Sequence, residues 1–400
     1  MKNRIKLLFV LIMIILISFS AYILYQGYRI KHAKIKVELI DNLDIEVYSD
    51  LKLKDLIKSI NGKLIKNKKI NTKEIGKKEI KFKYINDDNI IVSYTFEVNI
   101  VDNTKPLILG PSNITLYKNN NVDINNSFLC GDNYDDEPIC EIEGNYDKNK
   151  IGTYYLSYKA QDKSKNENKL DFTLNIIEND NSNDNINAKS TTTKFEDIVN
   201  NYKFKNTKIG IDVSKWQGDI DFKKVKQAGV EFAFIRVGIQ TDINGEYFLD
   251  TKFKQNIKGF NKEKIPVGVY FYTKSISNKE ARKQAKWILK QIDKYKIELP
   301  IVFDWENWSN YRDYKLSFYH LLQMYNSFEK EINNNGYEAM LYSSKNYLEK
   351  VWNTKDNNIW LAHYTDKTNY EGKYKVWQIC DDGMIDGIDS KSVDIDILYY

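Results

Sequence analysis

The residues best placed to do chemistry lie at the end of one apolar run, Pro300-Ile301-Val302-Phe303-Asp304-Trp305-Glu306. In an extended chain successive side chains alternate sides, so Asp304 and Glu306 project from the same face. Two carboxyls crowded together repel, and the less solvated one keeps its proton to higher pH. That asymmetry suits glycoside hydrolysis, where one carboxylic acid protonates the leaving oxygen and another group stabilises developing positive charge. Taken alone, the pattern equally describes a strand end carrying two solvated acids.

The surroundings of this pair predict how it is positioned. From Thr207 onward short apolar runs alternate with helix-like segments: 209–213, 232–238, 266–273, 300–306, 339–344, 359–365, 376–379 and 393–398. Helical patterns follow the first five runs and loops join the last three. This predicts a parallel-rich α/β barrel with an irregular final section. A polar residue recurs at or near the C-terminal end of most runs: Asp212, Arg236, Tyr272, Asp304 with Glu306, Tyr342, Tyr364 and Gln378, with Asp394 in the closing run. An unpaired polar group inside an apolar strand costs several kcal/mol, on the order of 2–7, so a row of them implies a lined pocket at the C-terminal rim. Tyr270 and Tyr272 share one strand face, and Tyr342, Trp360, Tyr364 and Trp377 lie in or beside strand ends. Sugar rings stack on such aromatics, and barrel-core packing explains each equally well. Asp219 and Asp221 precede a helix and read as caps. Trp287 reads as a core anchor, and Cys380 as a small buried residue.

Composition narrows the alternatives. The chain has 400 residues, 42% hydrophobic and 29% charged, with a net charge of +5, which is globular and long enough for several domains. No basic stripe interleaved with aromatics points to nucleic acid. The three histidines and three cysteines form no HExxH, CxxC or zinc-ribbon spacing, so neither a metal nor another cofactor is expected. No GxSxG elbow supports a serine hydrolase.

At the N-terminus Lys2, Arg4 and Lys6 precede an uncharged apolar run, Leu7–Tyr25. Nineteen helical residues rise about 28 Å, enough to cross a bilayer. A cleaved signal peptide is the competing reading, with Ser18-Phe19-Ser20 as a small-x-small site, although the apolar run continues past it. Both readings export the rest of the chain. Residues 35–178 contain a repeat with a shift of 76: Ile75-Gly76 recurs as Ile151-Gly152, Ile80/Phe82/Tyr84 as Leu156/Tyr158/Ala160, and Phe96/Val98/Ile100 as Phe172/Leu174/Ile176. The alternation predicts two small all-β sandwiches, 35–101 and 102–178. Cys130 and Cys140 bracket an acidic loop and suit a disulfide in an exported domain. Asp132, Asp135, Asp136 and Glu137 lack the ordered spacing of a calcium loop. The polar stretch 179–206 predicts a flexible linker.

The second repeat resembles the bacterial Ig-like modules of secreted surface proteins, through Asp102-Asn103-Thr104-Lys105-Pro106, Ile151-Gly152-Thr153-Tyr154 and Ala160-Gln161-Asp162-Lys163-Ser164. The resemblance implies a spacer or weak wall binder. The C-terminal region, 207–400, resembles the glycoside hydrolase family 25 lysozymes. The matching motifs are Gly210-Ile211-Asp212-Val213-Ser214 with Trp216-Gln217-Gly218, Phe234-Ile235-Arg236-Val237-Gly238, Pro266-Val267-Gly268-Val269-Tyr270 and Phe303-Asp304-Trp305-Glu306. They continue in family order with Trp360-Leu361-Ala362-His363-Tyr364, Trp377-Gln378 and Val393-Asp394-Ile395-Asp396. The resemblance implies a barrel of five β/α units plus three strands. It implies cleavage of the β-1,4 bond from N-acetylmuramic acid to N-acetylglucosamine in peptidoglycan. Glu306 would be the general acid/base. Asp304 would orient the substrate's N-acetyl group or stabilise the oxocarbenium centre, and Asp212 and Asp394 would be the other acids of the pocket. Arg236-Val237-Gly238-Ile239-Gln240 departs from the Lys-containing Thr-Glu-Gly segment of many members, which bears on fine specificity. Two other readings compete: a non-catalytic wall-binding scaffold, which the four intact acids oppose, and a chitinase-like glycosidase, whose longer DxxDxDxE run is absent. The expected setting is the cell membrane, spanned by residues 1–34 with the catalytic region outside, or the exterior after signal cleavage.

Overall fold

A computed structural model describes residues 2–178, 192–243, 245–352 and 358–400. The chain divides into two compact units, Met1–Asn103 and Thr104–Tyr400.

The first unit opens with a helix, Lys2–Lys31. Its segment Lys6–Lys31 is long and apolar enough to cross a membrane, and the side chains from Leu7 to Leu24 lie exposed. A small β module follows. Its hairpin Gly76–Asn86/Ile91–Val101 is flanked by Asp44–Glu46 and Gly62–Leu64 in a four-stranded sheet, beside a two-stranded ribbon of Val37–Leu39 and Ile57–Ile60. Ile80, Phe82, Tyr84, Phe96, Val98 and Ile100 are buried, as the period-two pattern requires.

The second unit begins with the same design. Its hairpin Gly152–Gln161/Glu167–Ile177 lies between Ile139–Glu143 and Asn113–Tyr117, with a ribbon of Leu107–Leu109 and Leu129–Gly131. Both hairpins start at the predicted offset, Gly76 against Gly152 and Ile91 against Glu167. Cys130 and Cys140 are joined, with Cα atoms 6.5 Å apart. The acidic loop they close is occupied by lysines: Lys163 Nζ lies 2.7 Å from Asp135 and 3.0 Å from Asp136, and Lys315 Nζ lies 2.8 Å from Glu137.

This second module is more than a bead on a string, because its disulfide loop is built into the barrel. Phe318 N–H, at the start of the helix Phe318–Asn334, donates to the Asp132 carbonyl at 2.8 Å, supplying an acceptor for an otherwise unpaired helix-end donor. Gly131 is flush against aromatic rings: a Cβ there would come within 2.7 Å of Phe318 and 2.8 Å of Tyr311. Leu129 joins the barrel's own hydrophobic core.

The expected flexible linker, 179–206, does not hold over residues 193–202. Residues 179–191 lie outside the described residues, but Thr193–Lys194 pairs as a parallel strand with Gly383 and Met384. The helix Phe195–Tyr202 follows and buries Phe195 and Ile198. Phe195, Ile198, Val199 and Tyr202, spaced as one face of a helix within the polar composition, account for the difference.

The barrel closes with eight strands: β1 (Thr207–Val213), β2 (Phe232–Gln240), β3 (Val267–Tyr272), β4 (Ile301–Asp304), β5 (Ala339–Ser344), β6 (Ile359–Ala362), β7 (Val376–Met384) and β8 (Val393–Tyr399). Strands β1 to β7 run parallel in order, and antiparallel β8 bridges β7 back to β1. Helices Phe222–Gln227, Phe253–Lys262, Asn278–Ile292, Phe318–Asn334 and Lys345–Lys350 follow β1 to β5, and among the described residues no helix follows β6 or β7. This is the five-plus-three arrangement. Phe232, Phe234, Val302, Met340, Trp360 and Val376 fill the interior. The alternate residues, such as Ala233, Ile235, Ile301 and Phe303, pack outward on the helices.

Candidate active site

Register gathers the polar strand ends at one level. Asp212 on β1 sits opposite Asp394 on β8, Arg236 opposite Tyr270, and Tyr272, Asp304, Tyr342 and Trp360 fall in line across β3 to β6. This is the C-terminal rim, where parallel strands present side chains to bound ligands.

Asp304 closes β4 and is buried, whereas Glu306 projects just beyond it and is exposed. Trp305 points the other way. Its ring is fully buried against Trp308, Tyr311 and Tyr314, and its indole N–H donates to the Ser275 carbonyl at 3.3 Å. One anchored tryptophan thereby holds both carboxyls on the pocket side. Burial, the neighbouring Glu306 charge and a hydrogen bond to Glu306 raise the Asp304 pKa well above the usual carboxylate range. Glu306 is raised too, by burial of its carboxyl among protein groups, and the hydrogen bond from Asp304 partly offsets this. Both carboxyls are therefore held above the ordinary carboxylate range, the condition under which neighbouring acids share a proton. Among the described residues nothing donates to the other Asp304 oxygen, Oδ1.

Asp212 belongs to a second network. Gln378 Nε2 donates to Asp212 Oδ2 at 2.8 Å, while Tyr342 and Tyr364 donate their hydroxyls to Gln378 Oε1 at 2.8 and 3.0 Å. Burial pushes the Asp212 pKa up to about 7, against hydrogen bonds from Gln378 and Tyr270 that lower it. Asp394 rises to about 9, mainly by burial and then by the Asp212 charge. With so many acids sharing one low-dielectric space, several remain protonated at neutral pH.

The structure brings Asp212, Asp304, Glu306, Asp394, Tyr270, Tyr272, Tyr342, Tyr364 and Gln378 to one rim, and it moves three expected residues out of direct reach. Arg236 is forked onto Asp250, with Nη2 at 2.7 Å and Nε at 2.9 Å from the same oxygen. It biases Asp212 towards ionisation while its hydrogen-bonding edge is committed to Asp250. Trp360 lies inside the barrel, stacked on Phe234 at 4.5 Å, with its indole N–H donated to Asp396 at 2.7 Å. Trp377 faces outward, because it alternates with the inward pair Val376 and Gln378; it meets Tyr202 edge-on at 5.9 Å and donates to the His363 carbonyl. Asp219 is not a cap: it accepts from Lys252 and Gln255, and Asp221 alone caps the helix.

Three further residues at the site lie outside the pattern of polar strand ends. Asp396 is fully buried under Trp360, and its spacing from Asp394, two apart in a strand, was the available signal. Asn307 accepts from Tyr272 at 3.1 Å and donates to the Thr273 carbonyl. Asp250 comes from an excursion after β2 that no local pattern marks.

Residues 211–388 match the sequence model described as Glycosyl hydrolases family 25. The C-terminal half carries a family 25 glycosyl hydrolase domain. Among relatives, the "Autolytic lysozyme" of Clostridium acetobutylicum is 25% identical over 190 residues, 47% of this chain and 54% of that protein. The "Uncharacterized protein YegX" of Escherichia coli (strain K12) is 27% identical over 222 residues, 50% of this chain and 77% of that protein. Thus the chain spans about half the length of the first of these relatives. Among solved structures, the modular autolysin LytC from Streptococcus pneumoniae, in complex with a synthetic peptidoglycan ligand, is 28% identical with a TM-score of 0.43, covering 49% of this chain and 48% of that one. A family 25 glycosyl hydrolase from Bacillus anthracis is 26% identical with a TM-score of 0.41, covering 50% and 92%. In the family 25 domain of this chain, the pairing of a buried carboxyl with an exposed one is an arrangement that suits general acid/base chemistry.

Proposed function

We propose that the family 25 domain is an N-acetylmuramidase, cleaving the β-1,4 bond between N-acetylmuramic acid and N-acetylglucosamine in peptidoglycan. The observation that carries this reading is the Asp304–Glu306 pair at the barrel mouth, one carboxyl buried at the end of β4 and the other exposed just beyond it, each held above the usual carboxylate range by burial. The proton shared by the pair moves from Asp304 to Glu306 and on to the leaving glycosidic oxygen, which leaves both carboxylates anionic, with Asp304 facing the developing positive charge. Its unpaired Oδ1 suits the N–H of the substrate's acetamido group. Once the leaving group has gone, Glu306 is the base that activates water, completing the cycle. Tyr272, Tyr342 and Tyr364 line the pocket for the sugars, and Gln378 holds Asp212 in place.

The remaining chain serves delivery in this reading. The Lys6–Lys31 helix acts as a membrane anchor with the domain outside, and the two β modules are Ig-like spacers, the second also bracing the barrel. Digestion of purified peptidoglycan followed by borohydride reduction tests the reaction: new ends should reduce to muramitol. Glucosaminitol ends, or no release from several wall types, would refute it. Recovery of full-length protein in the membrane fraction, with the barrel open to external protease, is expected of the anchor; a soluble form starting near Ala21 would replace it with a cleaved signal.

A further inference from the structure

Apart from the pocket, the rim displays a large aromatic that nothing in the mechanism uses. Trp216 lies on the turn that follows β1 and is 71% exposed. An indole so open to water loses the stabilisation that burial gives a large ring, yet the turn presenting it is among the most firmly tied at the rim. Ser214 accepts the Trp216 N–H at 3.3 Å, and Gln217 reaches back to the Ser214 N–H at 2.8 Å. Gln217 Nε2 also donates to the Ser392 carbonyl at 2.9 Å, just before Asp394. The Lys215 N–H donates to Asp250 at 3.1 Å, the same carboxylate that holds Arg236. The turn therefore joins the ends of β1, β2 and β8, the strands that carry Asp212, Arg236 and Asp394. Lys215 Nζ stands 4.6 Å from the Trp216 ring centre, so a cation accompanies the ring at the rim.

We propose that Trp216 is a sugar-stacking platform for a part of the glycan strand beyond the cleavage site, with Lys215 beside it to meet the carboxylates that peptidoglycan carries on its peptide branches. This rests on the muramidase reading and extends it: the groove runs outward over β1 and β2, and the enzyme favours long, peptide-bearing strands over short or stripped ones. A rigidly held ring loses little entropy when a sugar stacks on it, which is why the tied turn matters as much as the exposure.

The test uses the full chain. Trp216→Ala should raise KM on polymeric peptidoglycan roughly tenfold, equivalent to about 1.4 kcal/mol, with the loss falling on KM and kcat changing less than about twofold. Trp216→Phe should recover most of the difference. On fragments too short to reach the turn the variant and the parent should behave alike. Lys215→Gln should raise KM on peptide-bearing strands and should raise it clearly less on strands stripped by amidase, where only the short lactyl carboxylates remain; an equal rise on both would overturn the role of Lys215. Binding is read separately, by the fluorescence change on adding soluble glycan strands to the parent minus that of Trp216→Phe. A KM that does not move on long strands, or no Trp216 fluorescence response, would overturn the platform. A parent that shows the response but releases no muramitol-yielding ends would instead overturn the muramidase reading and leave the platform standing.

Discussion

Asp212→Asn offers a direct measure of what the acidic pocket costs the fold. The amide matches the carboxyl in shape and can still accept from Gln378 Nε2, which donates to Asp212 at 2.8 Å. What it removes is a buried charge. Burial raises the Asp212 pKa from 3.8 to about 7, so the folded state holds this proton more tightly than the unfolded chain does. The contribution is therefore most favourable below about pH 4 and is lost as pH rises from about 4 to about 7. A rise of about three units at about 1.36 kcal/mol each sets a ceiling of about 4 kcal/mol. The substituted amide has nothing to titrate, so the variant should be more stable than the parent by about 2–4 kcal/mol at pH 7, by under about 1 kcal/mol at pH 4, and by little more at about pH 9 than at pH 7. Urea unfolding of both proteins across that range, followed by tryptophan fluorescence, measures the difference. Peptidoglycan hydrolysis by the variant should meanwhile fall sharply, because stability gained by neutralising a functional site comes with lost activity. A stability difference that is absent at pH 7, or that does not change with pH, would refute the account of a desolvated acid in the pocket.

Two further outcomes follow from the site and its brace. Glu306→Gln should lower turnover on peptidoglycan by roughly 10²–10⁴-fold, and a synthetic substrate with a very acidic leaving group should partly rescue it while rescuing Asp304→Asn much less; the reverse pattern would exchange the two roles. Replacing Cys130 and Cys140 by serine, in a loop with a sequence separation of 10, should cost about 2–3 kcal/mol in the second module, and, because Asp132 accepts from Phe318, thermal unfolding should show the barrel destabilised as well; a barrel transition that stays put would mean the contact carries no load.

How much of this was legible in the residues depended on whether the information was local. Strand alternation placed Asp304 with Glu306 and buried Phe82, Tyr84, Phe96 and Val98 as expected, because a period-two pattern encodes the face of each side chain. The same rule separates Gln378 from Trp377, adjacent residues on opposite sides of β7, and applied strictly it excludes Trp377 from the pocket. Trp360 fails for another reason: it faces inward in register with Tyr342, but its ring is stacked on Phe234 and its indole N–H is taken up by Asp396. Those partners come from other strands, which no single strand reveals. Arg236 was legible as a polar strand end, and its partner Asp250 was not, since an ion pair formed across an excursion leaves no trace in spacing. The docking of the Cys130–Cys140 loop is a contact of the same kind, between segments far apart in the chain. It also has a consequence for the chemistry. The segment from Trp305 to Ser317 links β4 to the helix whose first N–H this loop accepts, so disturbing the loop is expected to shift Glu306, which a fall in peptidoglycan hydrolysis by the Cys130/Cys140 serine variant would register.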